Sequence, residues 1–432
     1  MKMNRKNRIL AFILALLMVV PTLPMAVSAQ KIDSVLSDED FFKQASPEIY
    51  DDDGELVFPS TFKDVSTSEE LENALSDGID AICVIADFEI DRTFYITENT
   101  IVYSKENVKL TRHANFAGDV FVVGQKADNT LCEEGVIFSL GGYDDDGSSL
   151  LTIDGNKENM AVDVIGSVAF VCSGAQADFY NDVAVTNCHK VGNERALDAV
   201  HAFPTSNAPA IGGPVGIVAD NGCMNIYGGT YSHNSGTTDS SITTSAYGGA
   251  FYNYAVMNVY GGIFEGNSAV RAGVFYNYRT LFIYNATIKD NTAATAGGAI
   301  YAPTSSGAKT YLGGVSEYCE SKVTFSGNVA NTYGGAIYST GRVTAQDTTF
   351  RDNSAKTGGA IYIGGKYGPL SAQNCLFENN TATANGGAIA SSGHTSLNIE
   401  TDIMLANTVF SENSAANGGA IYTEGSEESG YA

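Results

Sequence analysis

A chain of 432 residues, 44% hydrophobic with 46 glycines and no tryptophan, has ample material for a large core, and its low content of helix formers fits an all-β chain. Its 24 Lys and Arg stand against 49 Asp and Glu, a formal net charge of −25. Such a surface repels nucleic acid and anionic membranes, so neither is an expected partner.

Residues 1–29 carry Lys2, Arg5, Lys6 and Arg8, an apolar run from Ile9 to Val20, and small residues at Val27-Ser28-Ala29. This is the pattern of a secretory signal peptide, and the apolar run is short for a membrane anchor. No other membrane insertion is expected, and the location implied is extracellular or cell-surface. Removing these residues leaves 24 − 4 = 20 basic against 49 acidic side chains, a formal net of −29. The seven cysteines, Cys83, Cys132, Cys172, Cys188, Cys223, Cys319 and Cys375, are odd in number and lack any CxxC spacing. They are expected to be buried single thiols, not a disulfide framework or a metal site.

Residues 30–64 are acidic and irregular and are expected to form a linker or loose arm. Thr67-Ser68-Glu69-Glu70 then offers a capping box, with Leu71, Ala74 and Leu75 on one face and Gly78 as the stop. That predicts a short amphipathic helix, a natural plug for the open end of a solenoid. Strand-like runs follow from Ala81 onward, so residues 65–222 should hold a cap and irregular coils, with Asp154-Gly155-Asn156 as a bend. Residues 189–213 form the longest stretch poor in strand signals, an insertion of the kind that shapes a binding face.

Residues 223–423 repeat. An aromatic or aliphatic residue is followed three places later by Asn, at Tyr231/Asn234, Phe264/Asn267, Ile288/Asn291, Phe325/Asn328, Phe350/Asn353, Phe377/Asn380 and Phe410/Asn413, with Gly-Gly-Ala-Ile-Tyr or a variant beyond. Successive copies start 33, 24, 37, 25, 27 and 33 residues apart. Units this short cannot bury a core alone and must stack. Short runs rich in Val, Ile, Phe, Tyr and Thr broken by Asn, Gly, Ser and Asp make them strands, and the architecture implied is a parallel β-helix.

Stacking turns letters into columns. Phe251, Phe275, Ile300, Ile337, Ile361, Ile389 and Ile421 should face the core. The next residue must then point outward, which predicts an exposed ladder of Tyr252, Tyr276, Tyr301, Tyr338, Tyr362 and Tyr422, with Ala390 as the gap. The Asn column suits a bend through left-handed backbone angles or amide bonds to the Asn above, and paired glycines allow a turn that a Cβ blocks. Ala272-Gly273-Val274 breaks the pattern in the second unit. Residues 424–432 are a polar tail that resembles no cap, so a longer natural chain is expected.

These FxxN and GGAI motifs resemble the repeats of the chlamydial polymorphic membrane proteins, within the wider group of right-handed, pectin-lyase-like β-helices. The resemblance covers about residues 223–423. It implies the right-handed coil, which spacing alone does not, together with surface display and adhesion. It implies no catalytic residues.

Three functions fit. The first is non-enzymatic binding of glycan, or of a protein on another cell surface, through the tyrosine ladder, since flat rings with polar tips stack on sugars and gain by repetition. The ladder is also explained by stacking that stabilises the sheet itself. The second is a polysaccharide lyase or glycoside hydrolase built from Asp178, Asp182, Arg195, Asp198 and His201, carboxylates and bases in or beside the insertion. The third is a rigid stalk. No cofactor is expected. Ca²⁺ is the one ion the composition suits, at the Asp-Asp-Asp-Gly runs 51–54 and 144–147, but these lack the remaining ligands of a calcium loop.

Overall fold

The computed structural model describes residues 61–132, 135–142, 150–192, 212–238, 247–303, 307–314, 321–364, 368–394 and 403–425. The signal-peptide segment, both acidic runs, Cys319 and the C-terminal tail beyond Gly425 lie outside these residues.

One turn shows the plan. The strand Arg342–Gln346 passes through a corner to Thr348–Arg351, then to Ser354–Thr357 and Ile361–Gly364, and Leu370–Gln373 comes back to lie parallel beside the first. Repeated along the chain, this winding produces three long sheets of 12, 11 and 11 strands and a fourth of 7 strands that begins at His189–Gly192. All pairings between these strands are parallel. The molecule is a right-handed parallel β-helix, the hand that crossovers between parallel strands adopt.

The inward columns on the strands are apolar. Phe251, Phe275, Ile300, Ile337, Ile361 and Ile389 are in register and fully buried. From a second wall, Phe325, Phe350, Phe377 and Phe410 stack at 5.1, 4.7 and 5.0 Å, the spacing that the parallel ladder imposes. The core is therefore a set of axial stacks, and a side chain is buried by the residue at the same position in the next turn.

The helix expected after Thr67 spans Ser68–Ser76. Glu70 N–H donates to Thr67 Oγ1, but the Glu70 carboxylate accepts from Ser66 N–H instead of closing the box on Thr67. Those Ser66 bonds hold its carboxyl below the usual range. Leu71 and Ala74 are fully buried, and the helix packs on the first strands of all three long sheets, so it plugs the coil as expected. One boundary moves: Phe62, Lys63 and Asp64, placed by composition in the acidic arm, form with Val65 a strand pairing with Ala81–Val84. The solenoid thus begins before its cap, not near residue 80.

The conserved-looking letters of the repeat divide the work differently from expectation. The Asn itself is not left-handed; the residue before it is, with φ of 56° at His233, 63° at Gly266, 56° at Asp290, 64° at Gly327, 56° at Asp352, 54° at Asn379 and 57° at Glu412. Turning the chain there frees each Asn amide to point inward, where Asn234 through Asn380 are fully buried. Asn328 is typical: Nδ2 donates to Asn353 Oδ1 at 3.0 Å and to Ile288 O at 2.9 Å, while Oδ1 accepts from Asn291 Nδ2 at 2.9 Å and Asn291 N–H at 3.2 Å. All four capacities of the amide are used, which is what makes a buried polar column tolerable. The ladder starts a coil earlier than the sequence motif, because Cys188 N–H donates to Asn234 Oδ1.

The paired glycines have separate reasons. The first takes a left-handed angle, as at Gly334 with φ 62°. The second is a close approach: a Cβ on Gly335 would stand 2.1 Å from the carbonyl oxygen of Gly359 in the next turn.

Candidate functional site

The expected tyrosine ladder exists. Tyr252, Tyr276, Tyr301, Tyr338 and Tyr362 stack in order with ring centroids 4.9, 5.5, 4.7 and 5.5 Å apart and nearly parallel planes. They point away from the core, and Tyr252 and Tyr276 form a separate apolar cluster with Val122, Phe170 and Ile217, against which Tyr301 packs.

They are not, however, uniformly exposed. Tyr252 and Tyr276 are 2% and 4% accessible and Tyr362 is 9%, whereas Tyr301, Tyr338 and Tyr422 are intermediate. The reason is the stack itself together with what lies beside it. A ring inside a stack has both faces covered, so only its edge and hydroxyl remain. Burial pushes the phenols of Tyr276, Tyr301 and Tyr338 above their usual range.

A second column covers those edges, and it was not identified from sequence. The residues immediately before the paired glycines are in register: Tyr247 bridges to Arg271, Arg271 pairs with Ala296, and Ala296 bridges to Tyr333, which bridges to Thr357. Each large member leans over the ladder tyrosine of the following turn. Tyr247 stands 4.8 Å from the Tyr276 ring, the Arg271 guanidinium 5.3 Å from the Tyr301 ring, and Tyr333 4.5 Å from the Tyr362 ring. Arg271 also donates from Nη1 to the Tyr247 hydroxyl at 3.0 Å and lies over that ring at 5.0 Å. It forms no ion pair with a described carboxylate. Arg279 lies over Tyr254, whose ring stacks on Tyr278, extending the aromatic surface. The signal for this column was present as the position before Gly-Gly, but its letters vary and so did not register as a motif.

A further aromatic column runs along a corner of the 12-stranded sheet. Tyr180, Tyr227, Tyr260 and Tyr284 stack at 5.0, 5.1 and 5.2 Å, and Phe282 continues onto Tyr311 at 4.8 Å.

The enzyme candidates fare unevenly. Arg195, Asp198 and His201 lie outside the described residues. Asp178 is buried and accepts from Gln176 Nε2 at 2.9 Å and Asn225 Nδ2 at 2.8 Å, the head of an amide row continued by Asn258. Asp182 is buried and accepts from Gly142 N–H at 2.8 Å. Both carboxylates anchor neighbouring turns. Among the described residues no cluster of three or more His, Cys, Asp or Glu is placed to hold a metal ion. The six described cysteines are free thiols, all buried except the half-buried Cys132.

The Chlamydia polymorphic membrane protein repeat matches residues 285–303, 322–340, 347–364, 374–392 and 407–424. Each segment includes the Asn turn and the Gly-Gly approach of one coil, so the likeness noted in the motifs is shown for the last five of the seven copies. The two unmatched copies are those with the insertion after Asn234 and with Ala272 in place of glycine. No curated protein matches the chain.

Proposed function

We propose that this chain is an exported, cell-surface binding protein of adhesin type, which holds glycan or a partner surface against the tyrosine stripe without transforming it. The observation that carries the proposal is the half-exposed part of the stripe. Tyr301, Tyr338 and Tyr333 present ring edges and hydroxyls beside Arg271, on a scaffold that fixes every ring by stacking. Rings held this way lose little entropy on contact, and that is the usual economy of an aromatic binding surface. Repeats matched to a membrane-protein family support display at a surface, as does the signal-peptide pattern of residues 1–29.

The test is a glycan and polysaccharide array probed with the chain, reading retained protein and released reducing or unsaturated ends on the same spots. Binding without product, lost on changing Tyr301, Tyr333 and Tyr338 together to Ser, supports the reading. Product release that survives those changes would replace it with an enzyme. Silence on every spot would leave a stalk.

A further inference from the structure

The column beside the ladder has one small member. By the one-turn offset that places Tyr247 over Tyr276, Arg271 over Tyr301 and Tyr333 over Tyr362, the residue that should cover Tyr338 is Ala296. A methyl group covers no ring. The result is a slot with Tyr338 as its back wall, Arg271 on one side and Tyr333 on the other. The accessibility pattern follows: Tyr276 and Tyr362, each beneath a tyrosine, are buried, while Tyr301 and Tyr338 are intermediate and Tyr333 is 38% accessible.

The width is set by the fold. Arg271 and Tyr333 are two turns apart, and turns repeat at roughly 4.8 Å, so the flanking groups lie about 10 Å apart. A single pyranose chair midway stands about 5 Å from each, within the centroid separations of roughly 4.5–7 Å at which rings pack. Two layers do not fit.

The charge is set by Arg271. One of its N–H groups is used by the Tyr247 hydroxyl, and two tyrosine faces flank the guanidinium, but no described carboxylate pairs with it. This occurs in a chain with a formal net charge of −25, where carboxylates outnumber cations two to one. The surrounding segment is exceptional as well: residues 271–356 hold eight Lys and Arg (271, 279, 289, 309, 322, 342, 351, 356) and five acidic residues (290, 317, 320, 347, 352), 8 − 5 = +3. A planar guanidinium that no described carboxylate pairs, beside a one-ring slot, suits a carboxylate carried on that ring.

We infer that this slot binds a hexuronate unit of an acidic glycan, its ring seated against Tyr333 and Tyr338 and its carboxylate on Arg271. The inference rests on the binding reading above and specifies its ligand class. A sugar acid is favoured over an acidic peptide because the slot admits one ring with the charge directly at its edge.

The experiment is titration calorimetry of the full chain with tetragalacturonate, with its fully methyl-esterified neutral form, and with tetraglutamate. Tetragalacturonate should bind at least ten-fold more tightly than the ester or the peptide. Arg271→Gln should erase that preference, lowering the affinity for tetragalacturonate to no better than that for the ester. Ala296→Tyr, which copies the residue carried by the same column at positions 247 and 333, should fold and weaken both sugars at least ten-fold. Equal affinity for acid and ester, equal affinity for the peptide, or an Ala296→Tyr chain that binds as before would overturn the slot. Ester binding that depends on Tyr338 would keep the broader reading alive in that case. Absence of binding to every probe and to the array would end both.

Discussion

The asparagine column gives the sharpest test of how the coil is held together. Replacing Asn328 by Ala removes four hydrogen bonds, two donated and two accepted, from a position with no access to water. It leaves Asn291 with an unpaired backbone N–H and one unpaired amide hydrogen inside the core. At a net value of about 1 kcal/mol per bond, with extra cost for the orphaned donors, the loss should be about 3–5 kcal/mol. That is a large fraction of a stability of roughly 5–15 kcal/mol. Urea unfolding followed by far-UV circular dichroism measures it. The half-exposed end of the column is the control: water can replace what Asn413→Ala removes, so its cost should stay near 1 kcal/mol. Asn328 and Asn353 share one side-chain bond, so the double Ala variant should fall short of additivity by about 1 kcal/mol. If Asn328→Ala costs no more than Asn413→Ala, the amide ladder is decoration and apolar stacking alone holds the turns in register.

Other consequences follow from the same geometry. Gly335→Ala puts a Cβ against the next turn's backbone and should cost about 2–3 kcal/mol or prevent folding, whereas Ala272→Gly relieves a left-handed alanine at φ 58° and should gain up to about 1 kcal/mol. Both are read as shifts in the urea midpoint. Tyr276→Leu breaks contacts with Tyr252, Tyr301 and Tyr247 and should cost about 2–4 kcal/mol, while Tyr422→Leu, beyond the Ala390 gap, should be nearly neutral; equal losses would mean that stacking contributes nothing to stability. Burial pushes the Cys188 and Cys223 thiols up to about 12 from 9.0, so the fold favours their neutral form. That stabilisation is complete below pH 9 and is lost as pH rises toward 12. The thermal midpoint should therefore hold level to about pH 9 and then fall, less steeply when both cysteines are Ala; an unchanged slope would refute the thiol contribution.

Much of this architecture was legible because a solenoid converts sequence periodicity directly into contact. Phe251, Phe275 and Ile300 touch because they recur at the same phase, and recurrence is visible without coordinates. What sequence did not supply were relations between different phases. Nothing in the letters says that the left-handed residue precedes the Asn, because His, Gly, Asp, Asn and Glu all occupy that place. The alternation of strand side chains correctly turned the tyrosines away from the core. It could not say that a neighbouring column would cover them, since exposure depends on residues five places earlier and one turn away. The start of the coil was missed for a similar reason: Phe62–Val65 is a four-residue strand in acidic surroundings, and only its partner Ala81–Val84 makes it one.

The columns also differ in what they permit to vary. A change at Asn328 or Gly335 is felt in the turns on both sides, because each is bonded or pressed against the same residue above and below. A change before the glycines is felt by the ladder rings beside it and by its neighbour in the column, not by the backbone of the coil. That position already holds Tyr, Arg, Ala, Tyr, Thr, Asn and Asn at 247, 271, 296, 333, 357, 385 and 417, in an otherwise strict repeat. The rigid columns set the spacing of the outer surface at one ladder position per turn, and the permissive column decides, turn by turn, whether a ring is covered, charged or left open. Specificity in this protein should therefore be movable: shifting the whole set by one turn, as Ala296→Arg with Tyr333→Ala and Thr357→Tyr, should close the slot over Tyr338 and open one over Tyr362. Tyr338→Ser should then leave ligand binding unchanged and Tyr362→Ser should abolish it, the reverse of the parent chain.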